Sequence, residues 1–90
     1  MANIAECVIG RVATVIVDGK LLEGTIIGRR CNGIFEKYIM TTKHIHLEHQ
    51  QGEDMVQISL VREDELNCEK YITTGLLCKP GNIYLVKRHL

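Results

Sequence analysis

The chain has no tryptophan, one phenylalanine and three tyrosines, so large rings cannot build its core and few are available to stack on nucleic-acid bases. It has one proline, no C-x-x-C pair among its four cysteines, and no excess of either charge, with eleven basic and eleven acidic side chains. A formal charge of zero removes the global electrostatic argument for a nucleic-acid or membrane partner and leaves local patches to be weighed. The opening residues, MANIAECVIG, carry no basic n-region, and no apolar run is long enough for a signal peptide or a membrane span. The expectation is a cytoplasmic chain without membrane contact, in which Cys7, Cys31, Cys68 and Cys78 are reduced thiols rather than a disulfide framework.

What is present is aliphatic. Hydrophobic residues make up 46% of the chain, which puts Val, Ile, Leu and Met in the core. Ninety residues allow one domain, here a single β-rich domain over 1–90. A domain of this size buries only roughly 60 to 65% of the surface its unfolded chain exposes, which leaves stability thin. Burial against further copies of the same chain would supplement it, so a homo-oligomer is expected.

The clearest local signals are two turn dipeptides. The β-branched run from Arg11 to Val17 meets Asp18-Gly19, and a second turn falls at Asn32-Gly33. Both dipeptides tolerate the positive φ angles of a type I′ hairpin. Folding across the first pairs Val17 with Lys20, Ile16 with Leu21, Val15 with Leu22 and Thr14 with Glu23; across the second, Cys31 faces Ile34, Arg30 faces Phe35 and Arg29 faces Glu36. The first forty residues thus read as a three-stranded meander with a long central strand. Gly24 and Gly28 inside that strand mark a bulge or bend, the device by which small sheets curl.

Beyond Thr42, K-H-I-H-L-E-H, the polar Q-Q-G-E-D and the alternating M-V-Q-I-S-L-V-R predict a second hairpin with Val56, Ile58 and Leu60 on one face. Residues 63–70 are polar and acidic, with helix formers that allow a short helix or a loop. Tyr71 to Cys78, Lys79-Pro80-Gly81-Asn82 and Ile83 to Lys87 predict a last hairpin around a type II turn. The fold class expected is mainly β: a small antiparallel meander or partly closed barrel of about six strands, with at most one short helix near 63–70.

Three histidines crowd one segment, His44, His46 and His49, with Glu48 among them. On a strand His44 and His46 share a face, a spacing that can supply two metal ligands, with a third from His49, Glu48 or a distant cysteine. The same spacing equally describes a solvated histidine face, so the metal assignment stays open and no motif calls for a cofactor. Arg29 and Arg30, beside the flexible Asn32-Gly33 turn, form the most pointed basic feature. Successive strand side chains face opposite ways, so one can reach an anion while the other pairs with Glu36. From Glu48 to Glu69 the chain carries Glu48, Glu53, Asp54, Glu63, Asp64, Glu65 and Glu69 against Arg62 alone, which predicts an acidic side opposite a basic one.

Two stretches resemble known families. G-T-I-I-G at Gly24 to Gly28 followed by Y-I-M-T-T-K-H-I at Tyr38 to Ile45 resembles the N-terminal barrel of trypsin-like proteases. That resemblance implies His44 as general base and Asp54 as its orienting acid. No G-x-S-G-G or equivalent cysteine nucleophile follows, and ninety residues hold only one of the two barrels that mechanism needs. V-D-G-K-L-L-E-G-T-I-I-G, within Val12 to Ile39, resembles the second-strand region of Sm-like proteins, small ring-forming barrels that bind RNA. The Asp-x-x-Met-Asn segment expected next is here Arg29-Arg30-Cys31-Asn32, so the family's RNA-binding residues do not carry over.

The function expected from these features is that of a non-enzymatic binding module, a homo-oligomer, holding an anionic ligand such as a nucleotide or RNA segment. Its contact residues would be Arg29, Arg30, Lys43, His44 and His46, the arginines as phosphate donors and the histidines as hydrogen-bonding or pH-dependent partners. The alternative is a protein-interaction or inhibitory module acting through the acidic segment, with a metal-dependent hydrolase on the histidine cluster as a third reading.

Overall fold

Two left-handed dipeptides organise the first half of the computed structural model, which describes residues 3–39, 44–60 and 75–85. Asp18 and Gly19 have φ of 50° and 76°, and Asn32 and Gly33 of 52° and 77°, the paired positive values of type I′ turns. Around them β1 (Val12–Val17), β2 (Lys20–Cys31) and β3 (Ile34–Ile39) fold antiparallel. Their registers are those read from the turns, from Val17↔Lys20 to Thr14↔Glu23 and from Cys31↔Ile34 to Arg29↔Glu36.

β2 is the spine of the sheet. Thr25 pairs with Val12 on one edge and Ser59 on the other, while Gly28 pairs with Lys37 and Gln57. The hairpin partners β1 and β3 therefore lie end to end along one edge of β2, and β5 (Met55–Ser59) runs along the other. The β2–β5 ladder slips between Ile26 and Gly28, the bulge that the strand glycines foreshadow. Gly24 has a separate reason to be glycine. A Cβ there would stand 2.5 Å from the Ser59 carbonyl oxygen and 2.6 Å from Ile58 Cγ2, so β5 crosses where no side chain fits.

Three further strands bring the sheet to seven antiparallel strands among the described residues: β4 (His44–His49), β6 (Leu76–Cys78) and β7 (Ile83–Leu85). β4 pairs with β3, β6 with β5 and β7 with β1. Among the described residues the sheet does not close, and its only helical pieces are the 3-10 turns Ile4–Glu6 and Pro80–Asn82. The core is aliphatic and small, as the composition requires: Ala13, Val15, Ile26, Val56, Ile58, Ile83 and Cys7 form one buried cluster, with Ile9, Val17, Leu22 and Leu85 against it.

Two hairpins expected from the sequence are arranged differently. β4 and β5 do not pair with each other; they sit on opposite sides of β2, separated from it by β3 in one direction and adjacent to it in the other. On β5, Val56 and Ile58 join Ile26 in the buried cluster, whereas Ile45 and Leu47 of β4 stay exposed; the residues between the two strands are held by Arg30 and Asn32 instead of closing a hairpin. Leu60, expected beside them, is exposed. β6 and β7 likewise do not pair with each other, because each completes a different edge of the sheet. Their connection is a 3-10 turn with Pro80 in its first position, where a missing N–H costs nothing, and Gly81 does not take the positive φ of a type II turn. The stretch considered for a short helix, 63–70, lies outside the described residues.

Candidate functional site

The β3–β4 hairpin extends beyond the buried cluster, and its register sorts its side chains. His44 stands opposite Ile39, His46 opposite Lys37 and Glu48 opposite Phe35, all on one face. On the other face Ile45 stands opposite Tyr38, Leu47 opposite Glu36 and His49 opposite Ile34. Every residue of β4 is exposed. His46 Nε2 lies 3.7 Å from Glu48 Oε2, with both side chains about half in solvent. Lys37 is the member of this surface that the sequence reading missed; the signal was the β3–β4 register, which depends on knowing β4's partner.

The two arginines are on opposite faces of β2 and both are engaged within the chain. Arg29 pairs with Glu36, its Nη2 3.0 Å from each carboxylate oxygen. Its Nη1 donates to the carbonyls of Ile4 and Ala5, tying the N-terminal 3-10 turn to the hairpin, while its Nε is buried without a partner. Arg30 reaches the other way. Its Nε donates to the Glu53 carbonyl at 2.8 Å and its Nη1 to Gln50 Oε1 at 2.7 Å. Gly52, with φ of 144°, lets the loop backbone lie against the guanidinium, since a Cβ there would be 2.7 Å from its central carbon. The Asn32 N–H donates to Asp54 Oδ1, so residues 50–54 are clasped around the β2–β3 turn.

This arrangement separates several groups the sequence placed together. His44 and His46 share a face, but His49 projects from the other, and no three His, Cys, Asp or Glu side chains among the described residues are placed to hold a metal ion. His44 is at the Ile39 end of β3, while Asp54 is bonded at the Asn32 end, so the base and orienting acid implied by the protease resemblance are not neighbours. Of the acidic segment, Glu48 lies beside His46, Asp54 is held by Asn32, and residues 61–69 lie outside the described residues. Lys43 does so too.

Two of the described thiols, Cys7 and Cys78, are held toward the protonated form. Burial pushes the Cys7 thiol up, against the opposing charge of Arg29, and burial also pushes up that of Cys78. No helix among the described residues is long and apolar enough to cross a membrane. Comparison with protein-family models, with curated proteins and with solved structures found no match to this chain.

Proposed function

We propose that this protein is a non-enzymatic binding module whose working surface is the β3–β4 hairpin, with Lys37, His44 and His46 contacting an anionic, phosphate-bearing ligand such as a nucleotide or an RNA segment. The carrying observation is the exposure of β4 at all six positions, although it is paired to β3 along its whole length. A strand that served only stability would bury one face. This one holds three histidines in solvent, and Lys37 across from His46 adds a second nitrogen donor on the same face. Lys43, next to His44 in the chain, belongs to the proposed set by sequence adjacency. In this reading Arg29 and Arg30 are framework: their donors hold Glu36, the N-terminal turn and the 50–54 loop in place.

The test is fluorescence anisotropy with a labelled short single-stranded RNA and a labelled adenine nucleotide, at low and moderate salt. Lys37→Glu combined with His46→Glu should weaken binding at least about tenfold and leave the melting temperature unchanged, since neither side chain is in the core. Affinity equal to wild type would reject the assignment.

A further inference from the structure

The outer edge of β4 has no partner among the described residues, and its backbone is arranged to take one. The Gln50 N–H donates to the Gly33 carbonyl at 2.9 Å, continuing the register in which Ile34 faces His49. In an antiparallel ladder this makes the even-numbered positions of β4 the ones bonded to β3, and it turns the N–H and C=O groups of Ile45, Leu47 and His49 outward. Edge strands are ordinarily guarded by bulges, prolines or charged side chains; His44–His49 has no proline, pairs with β3 without a register shift, and carries one acidic side chain, Glu48.

The side chains favour one occupant. Ile34, Ile45 and Leu47 are exposed large aliphatic residues on a single face of the hairpin. The strand reads H-I-H-L-E-H, and turned through a two-fold axis at His46 it is complementary to itself. Ile45 then meets Leu47 of the second copy on the apolar face, and His44 meets its Glu48 on the polar face. We propose that two copies of this chain associate by antiparallel pairing of β4 with β4, centred on His46. Ile45 and Leu47 of each copy exchange backbone hydrogen bonds, and His46 sits opposite its counterpart in a non-hydrogen-bonded pair. Each Glu48 comes to lie between His46 of its own strand and His44 of the other. The alternative register centred on Leu47 sets Ile45 against His49 and draws in Gln50, whose side chain already binds Arg30.

This inference rests on reading β3–β4 as the working surface and names a second partner for it, independent of any phosphate ligand. One short strand pair is small beside the roughly 1,200 to 2,000 Å² of a stable interface, so the dimer is concentration-dependent. Sedimentation velocity without ligand, over a wide range of protein concentration, should show a monomer–dimer equilibrium. Leu47→Lys, which puts a charge against Ile45 twice in the symmetric pair, should raise the dissociation constant at least about tenfold with unchanged melting. Because the added lysine would itself raise RNA affinity, the ligand proposal is tested separately by Lys37→Glu, which leaves β4 intact. In a second experiment His46→Cys is oxidised with diamide and the linked peptides are mapped by mass spectrometry. Opposed α-carbons in a non-hydrogen-bonded pair are about 4.5 Å apart, within disulfide range, so a 46–46 link should form. A monomer at every concentration, a Leu47→Lys variant that dimerises like wild type, or a link formed by Leu47→Cys and not by His46→Cys would overturn the proposal.

Discussion

Arg29 and Glu36 face each other across the β2–β3 hairpin, joined by one guanidinium nitrogen 3.0 Å from both carboxylate oxygens. Both side chains are mostly out of solvent, at 17% and 27% exposure, so the pair is worth more than a surface ion pair. Arg29→Ala would strand Glu36 and leave two carbonyls of the N-terminal turn without their donor. A loss of about 2 kcal/mol in chemical denaturation is expected, against about 1 kcal/mol for Glu36→Gln, which keeps an acceptor. A double-mutant cycle showing no coupling between them would contradict this account.

Arg30 is expected to act on a loop rather than on the core. Arg30→Ala removes its bonds to Glu53 and Gln50, so amide exchange should quicken across 50–54 and at Asn32 while Val15 and Ile58 keep their protection. Gly52→Ala should give the same local pattern, because its Cβ would displace the guanidinium.

The crossing of β5 over Gly24 makes a sharper prediction. Gly24→Ala places a methyl group against backbone at 2.5 Å, where nothing can rotate away. The strand pairing must shift, at an expected cost of about 1–3 kcal/mol. Thermal melting of this variant indistinguishable from wild type would show that β5 does not approach so closely.

Alkaline pH should weaken the fold through Cys7. Its thiol is raised in the folded state, chiefly by burial, so the folded chain holds the proton more tightly than the unfolded one. That contribution is complete below the unfolded thiol pKa of about 8.5 and is lost as pH rises through the folded value. The urea midpoint should be flat from about pH 7 to 8 and then fall, and Cys7→Ala should show a shallower alkaline decline from a lower start.

Local chemistry made much of the fold legible. Asp18-Gly19 and Asn32-Gly33 specify not only turns but pairings, because a two-residue type I′ turn leaves one register, and both registers are as read. What the sequence could not show was which strand β4 and β5 choose. Their connection contains Gln50-Gln51-Gly52, which looks like a hairpin loop, yet its geometry is set by Arg30 and Asn32, twenty or more residues away in the chain. The turn at Pro80 misled for a similar reason, since Pro-Gly is compatible with a 3-10 turn once β6 and β7 are held by different neighbours. The histidine pair was visible as an exposed strand face. Lys37 was not, because only the β3–β4 register sets it across from His46.

The central claim, that the β3–β4 hairpin is the binding surface, is tested most directly by amide chemical-shift mapping. Isotope-labelled protein, at a concentration where it is monomeric, is titrated with a short single-stranded RNA and separately with an adenine nucleotide. The account predicts saturable shifts confined to residues 35–39 and 44–48, with the largest at Lys37 and His46. Shifts centred instead on β1 and β7, or no shift with either probe, would contradict it.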